Sequence, residues 1–314
     1  MLTRAVQSDV RRALVPSLEA IAEARTRGDA QVAADLADDR LRWLTGSDPA
    51  RHLPLTALPT YKELLFSKSE WLCFVRDYLG RVQPMLGPFA GRQCASCPGT
   101  VDARGVHAWA CEARKGLCTD FHHSTVALFV AAINAAGCTA DATNLGGWLD
   151  PTPRDRTYLA DIVVRDLRER AVLLDVTFVN PFCATYFQSA LKGRLVSARA
   201  RAKEKLAKYA TYNSGGHPFV PLAGEFGGGV CDEWRDFLVL LSHRYGDTAA
   251  CRQSGSPLEE ARALFLKKWR EIFACHMAKA HWLFLSATAN TARGAALRFP
   301  RQFGHLSTAC FDVG

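Results

Sequence analysis

The chain has 314 residues, 48% of them apolar, which is enough to bury a sizeable core in one large or two small domains. No apolar run reaches membrane-spanning length, and the charged start MLTRAVQSDVRR lacks the apolar stretch of a secretory signal, so an intracellular protein with no membrane partner is expected. A net charge of +8 favours an anionic partner without naming one, and eleven cysteines, an odd number, suit metal ligation of a subset better than a disulfide framework.

In chain order, residues 1 to about 45 read as helical, with Leu14, Leu18, Ile21 and Ala22 spaced for one buried face. Leu36-Ala37-Asp38-Asp39 reads as the solvated end of that helix, and Ser47 to Thr60, with three prolines, as a loop or linker. A second helical stretch carries Leu64, Leu65, Trp71, Phe74, Val75 and Leu79 and ends near Gly80.

The run CASCPGTVDARGVHAWAC then places Cys94, Cys97, His107 and Cys111 in the order C-x2-C-x9-H-x3-C. A tetrahedral zinc site needs such pairs, because a tight knuckle aims two sulfurs at one point and a helical turn aims the second pair. Four protein ligands leave no open position, so a zinc bound here is expected to be structural. Cys118, His122 and His123 lie just downstream and each is an alternative fourth ligand, with His123 the second choice after His107.

From Ser124 to Ala136 a dense apolar pattern predicts a buried helix stopping at Gly137, and CTADATNLGGWL supplies a strand with Asp141 as a low-ranked third metal ligand. Two β-branched runs follow, Ile162 to Val164 and Val172 to Val179, joined by the polar turn Arg165 to Arg170, which reads as a hairpin. Asp161 opens the first strand and Asp175 sits mid-way along the second, where a charge is costly unless a cation pairs with it. Strand alternation puts Thr177 beside Asp175 on one face. Two carboxylates converging across a hairpin suit a hard divalent ion such as Mg2+, although two solvated strand-edge aspartates fit the same pattern.

A long helix from about Thr185 to Tyr212 is expected next, with Leu195, Ala198, Ala202 and Leu206 on the buried face. Its other faces carry Lys192, Arg194, Arg199, Arg201, Lys203, Lys205 and Lys208 against a single acid, Glu204, a geometry that lets a packed helix track phosphates. Phe219 to Phe226 reads as a last strand, and the turn Gly227 to Gly229 lacks the G-K-[ST] of a phosphate loop. The remainder is helical, opening on a capping box at Ser256-Pro257-Leu258-Glu259 and burying Leu258, Phe265, Trp269, Ile272 and Phe273, with His276 and His281 as packing residues. A basic tail, Arg293 to Arg301, is a further nucleic-acid contact candidate.

Asp161 in A-D-I and Asp175 in D-V-T, thirteen residues between them and Pro181 shortly after, resemble the PD-(D/E)XK restriction-endonuclease-like superfamily, specifically the endonuclease region of site-specific non-LTR retrotransposons, where a CCHC element also precedes the core. The resemblance covers roughly residues 90 to 230. Two departures stand out: Leu159-Ala160 replaces the usual basic residue and proline, and Thr177 occupies the lysine position, which such retrotransposon members fill from the following helix. The run K-L-A-K-Y resembles that helix pattern and implies Lys205 as the catalytic lysine, Lys208 as the reserve and Tyr209 as a supporting contact.

The resemblance implies an α/β fold with a restriction-endonuclease-like core, a mixed sheet flanked by helices. The expected regions are helical 1–90, zinc module 91–123, core 124–230 and helical 231–314. It implies a metal-dependent DNA endonuclease with structural Zn2+ and catalytic Mg2+ held by Asp161 and Asp175, and Lys192, Arg194, Arg199, Arg201 and Tyr209 on DNA or RNA–DNA intermediates. A reverse transcriptase encoded separately or upstream is the expected partner and the nucleus the expected location. The alternative is a non-catalytic nucleic-acid-binding relic or a zinc-stabilised scaffold.

Overall fold

The computed structural model describes residues 15–46, 48–57, 60–61, 64–143, 148–149 and 160–293. Its N-terminal helices are α1 (Leu18–Thr26), α2 (Ala30–Gly46), α3 (Pro49–Thr56) and α4 (Lys68–Tyr78). Helix α3 occupies part of the segment expected to be a loop. Asp48 caps it by accepting from the Ala50 amide, and Pro49 sits in the first turn, where its missing N–H has no partner to lose.

A short helix α5 (Val106–Ala110) follows the cysteine knuckle, then a long helix α6 (Lys115–Ala135) that Gly137 ends with a φ of 76°. Strands β1 (Thr139–Asp141), β2 (Ile162–Arg165) and β3 (Val172–Val179) follow, then helices α7 (Ala184–Ala190) and α8 (Val196–Ala210) and strand β4 (Phe219–Glu225). The chain closes with α9 (Asp232–Gly246), α10 (Ala249–Gln253) and α11 (Leu258–Ala292). The basic tail expected beyond Arg293 lies outside the described residues, as does the chain before residue 15.

The four strands form one mixed sheet in the order β1-β2-β3-β4. The first three run antiparallel, and β4 pairs parallel to β3 from Leu173↔Phe219 to Val179↔Glu225. A parallel neighbour needs a crossover, which α7 and α8 supply. One sheet face, with Ile162, Val164, Leu174 and Val176, joins Phe129 and Ile133 of α6, Trp234 of α9 and Phe273 of α11 in the main core. The other face buries Val163 and Leu173 with Tyr209 of α8.

The single helix expected over 185–212 is broken in two. Leu195, at a φ of 60°, turns the chain before α8 while its side chain stays 1% exposed. Leu206, expected to be buried, is 39% exposed; Ser197, Ala198, Ala202 and Tyr209 form the covered face instead. The C-terminal capping box is also absent: Pro257 precedes α11 without a side-chain cap and Leu258 is exposed, whereas Phe265, Trp269, Ile272 and Phe273 are buried as expected.

The glycine-rich turn after β4 is a packing device. A Cβ on Gly227 would lie 2.1 Å from the Thr45 methyl, and one on Gly229 would lie 2.5 Å from Leu195, so this turn is where α2 and the start of α8 close on the sheet. Just before it, Glu225 is buried and its Oε1 accepts from the Ala198 amide at 3.4 Å, serving the first turn of a helix that has no side-chain cap of its own.

Burial, opposed by the Ala198 amide and reinforced by Asp48, pushes the Glu225 carboxyl up to about 7. The folded chain therefore holds a proton there that the unfolded chain releases above its ordinary 4.5, so stability falls as pH rises from about 4.5 to about 7. Glu225→Gln should flatten that limb, recovering about 3 kcal/mol at pH 8 in denaturant titrations; an unchanged pH profile would remove Glu225 as its cause.

Candidate functional site

Cys94, Cys97, His107 and Cys111 bring one ligand atom each to within 4.8 Å of one another. Cys94 and Cys97 flank a tight turn in which the Cys94 amide donates to Gly99 O at 2.8 Å, and α5 presents His107 with Cys111 just beyond its end. Cys111 Sγ lies 4.0 Å from Cys94 Sγ and 3.6 Å from Cys97 Sγ, and Cys97 Sγ lies 3.5 Å from His107 Nε2. A tetrahedron with metal–sulfur bonds of about 2.3 Å has sulfurs about 3.8 Å apart, so three thiols and an imidazole stand at zinc spacing. His107 is thus the fourth member, and neither His123 nor Cys118 belongs to the cluster.

Local structure fixes that geometry. The Asp102 carboxylate accepts from the His107 and Arg104 amides at 2.7 and 2.9 Å, and a Cβ at Gly99 would stand 2.6 Å from the His107 ring. Burial would raise the Cys94 thiol, but the Ser96 amide and His107 outweigh it and bring it to about 6, whereas burial pushes the neighbouring Cys111 thiol up to about 11, so Cys94 is the thiol of the pair that ionises first. Trp109 then pins the cluster to the rest of the fold. Its ring stacks on Phe226 and Phe284 with centroids 4.1 and 4.0 Å away, and its Nε1 donates to His281 Nδ1 at 2.7 Å. His281, expected only to pack, is therefore also a hydrogen-bonding link between α5 and α11.

The second cluster lies on the central strands. Asp175 is 3% exposed, and the cation that pairs with it is Lys205, whose Nζ lies 2.9 Å from Oδ1 and 2.8 Å from Oδ2. Tyr209, one turn further along α8, donates its hydroxyl to Asp175 Oδ1 at 2.9 Å and stacks on Phe219 with centroids 4.4 Å apart. Burial raises the Asp175 carboxyl above its usual range and the Asp161 charge adds to this, while Lys205 and Tyr209 pull it back. Thr177, on the same face, accepts from Arg201 Nε at 3.4 Å, and Arg201 also pairs with Glu204 at 3.0 Å.

Asp161 stands just before β2. Its amide donates to Leu174 O at 2.8 Å, and its Oδ2 reaches across β3 to accept from the Val176 amide at 2.7 Å. His122 of α6 closes the group, with Nε2 3.1 Å from both Asp161 Oδ2 and Val176 O. Asp161 raises the His122 pKa through this contact, against burial, and Asp175 adds to the rise. The two aspartates thus feel each other's charge while being held by different helices, Asp175 by α8 and Asp161 by α6. Spacing alone assigned His122 to the zinc run and missed this position; it lies 39 residues from Asp161 in sequence.

Of the other candidates, Lys208 lies over the Tyr209 ring at 5.3 Å, Arg199 pairs with Asp232 at 3.0 Å, and Lys192 and Arg194 lie ahead of α8 in the chain. Asp141 caps its own turn by accepting from the Thr143 amide at 2.9 Å, as an aspartate beside a turn does.

The purified protein should carry about one equivalent of zinc, and cobalt substitution should give the absorption of a tetrahedral thiolate site. His107→Ala and Cys111→Ser should lose that spectrum and His123→Ala should keep it; the reverse pattern for the two histidines would contradict the cluster described above. No protein-family model matches the chain, and no curated protein or solved structure matches it either.

Proposed function

We propose that the chain is a metal-dependent DNA endonuclease related to the retrotransposon enzymes, with α6, β1 to β3, α8 and β4 as a restriction-endonuclease-like core. The observation that carries this reading is Asp175: a buried strand carboxylate gripped by a lysine and a tyrosine from a basic helix, within electrostatic reach of a second aspartate. The order helix, three antiparallel strands, crossover helix, parallel strand supports it. So does the position of Lys205, which reaches from α8 the place beside Asp175 that Thr177 leaves without a lysine.

Asp161 and Asp175 would supply the oxygen ligands of a Mg2+ or Mn2+ ion, while His122 Nε2, which faces the Val176 carbonyl and Asp161 Oδ2 and so carries its proton, would hold Asp161 in place. Such an ion, when bound, lowers the pKa of an attacking water and polarises the phosphoryl oxygen. The chain's own groups do the rest. Lys205 faces the developing negative charge of the scissile phosphate, Tyr209 fixes the Asp175 carboxylate, and Arg201, four residues before Lys205 on α8, offers a second cation to the backbone. Lys192, Arg194 and Arg199 extend this basic flank along DNA, and the Cys–His cluster holds structural zinc.

A second reading, a nucleic-acid-binding protein without nuclease activity, is favoured by two observations: Lys205 already neutralises Asp175, and the Val176 amide with His122 already holds Asp161. A nicking assay separates the two. Asp175→Asn, close in shape and still able to accept from Tyr209, should lower Mg2+- or Mn2+-dependent nicking of plasmid DNA by at least about a hundredfold while leaving salt-dependent DNA retention intact. Nicking equal to that of the unaltered protein would remove the assignment, and retention without any nicking in either protein would establish the passive reading.

A further inference from the structure

A second polar site lies away from the aspartates, in a cleft between the N-terminal helices, the metal-cluster helix α5 and the end of β3. Arg42, Arg51 and Arg104 line it, with Asn180 and His281, and Asp77 is the one acid on its wall among the described residues. Three buried nitrogens on this wall make no hydrogen bond among the described residues: Arg42 Nη2, Asn180 Nδ2 and His281 Nε2. The Arg42 side chain is 9% exposed and that of His281 10%, so neither nitrogen has bulk water to turn to.

The chemistry of the neighbours decides that all three are donors. Trp109 Nε1 can only donate, and it donates to His281 Nδ1 at 2.7 Å, so the proton of a neutral His281 is on Nε2. That proton faces Asp77 Oδ1 at 3.4 Å without the alignment of a hydrogen bond. The Phe182 amide donates to Asn180 Oδ1 at 3.0 Å, which fixes the amide group and leaves Nδ2 as the free end. Arg42 spends Nε on Asp38 at 2.9 Å and Nη1 on Asp77 at 3.4 Å, leaving Nη2. Asp77 is shared with Arg51 at 2.6 Å, and Asp38 and Asp39 hold Arg104 at the rim.

Arg42 Nη2, Asn180 Nδ2 and His281 Nε2 thus stand without a hydrogen-bond partner around one space, beside two further guanidinium groups, and Asp77 is its one acidic side chain among the described residues. From this geometry we infer that the cavity is a binding site for a phosphate group, gripped by the unpartnered donors of Arg42, Asn180 and His281, with Arg51 and Arg104 beside it held by Asp77 and by Asp38 and Asp39. This site is separate from the Asp161–Asp175 pair and does not depend on the nuclease reading. Its ligand is a phosphomonoester or free phosphate, and because Arg104, Trp109 and Asn180 all line the cavity, occupancy ties the metal-cluster module to the end of β3.

The test uses the full chain with inorganic phosphate against chloride at matched ionic strength. Phosphate about a hundredfold above its Kd should raise Tm by roughly 5 °C or more. Asn180→Asp keeps the acceptor for the Phe182 amide but replaces the donor by a negative charge, and it should abolish the shift. Asn180→Ser, whose hydroxyl also serves that amide, should weaken phosphate binding about tenfold or more and remains readable if the aspartate variant does not fold. Equal shifts in the unaltered protein and Asn180→Ser, or no phosphate shift beyond chloride, would overturn the site. Oligonucleotides with 5′-phosphate or 5′-hydroxyl ends identify the source: tighter binding of the phosphorylated end, lost in Asn180→Ser, assigns a nucleic-acid terminus, and equal binding assigns free phosphate.

Discussion

A single negative charge, on Asp175 in the middle of β3, constrains how the sheet is covered. A carboxylate this deeply buried is tolerated only where a cation and a donor meet it, and both come from one helix, Lys205 and Tyr209 standing one turn apart on α8. That requirement sets the rotation of α8 over the sheet. The same rotation exposes Leu206, buries Ala198 and Ala202, and lets Arg201 reach Thr177. The crossover before β4, the left-handed turn at Leu195 and the Glu225 carboxylate at the head of α8 place the helix where this pairing needs it.

The Cys–His cluster constrains the structure in a different way. Residues 94–111 carry little apolar bulk, and cross-links through a metal would replace the packing that the segment lacks. What the cluster exports is Trp109, which packs against both Phe226 at the end of the sheet and Phe284 of α11. The cluster, the sheet and the C-terminal helix therefore meet on one indole ring. A cavity rich in arginine adjoins it, lined by Trp109 and by residues of α2, α3 and α4.

Much of this arrangement was legible in the sequence because it is local. The β-branched runs on either side of Arg165 to Arg170 specify a hairpin, and the C-x2-C and H-x3-C spacings specify two pairs of ligands whatever lies between them. The expected mixed sheet flanked by helices and the Cys–His cluster are both present. What escaped was long-range or competed with a local rule. His122 meets Asp161 only because α6 crosses the end of β2, which no spacing encodes. Helix α3 formed in a proline-rich segment because Pro49 falls where a helix tolerates it and Asp48 supplies the cap. The basic helix broke at Leu195 because burying that side chain between Gly229 and its surroundings outweighs the cost of a positive φ on leucine.

Under the proposed nuclease function, Asp161 and Asp175 would share a hard cation, with Lys205 yielding part of its hold on Asp175. Anomalous diffraction from crystals grown with Mn2+ tests this most directly. A peak bonded to both carboxylates at about 2.1–2.2 Å is expected, with His122 still donating to Asp161 and Lys205 Nζ displaced toward solvent or phosphate. Crystals saturated with Mn2+ that show no peak there, and an undisturbed Lys205–Asp175 pair, would contradict it.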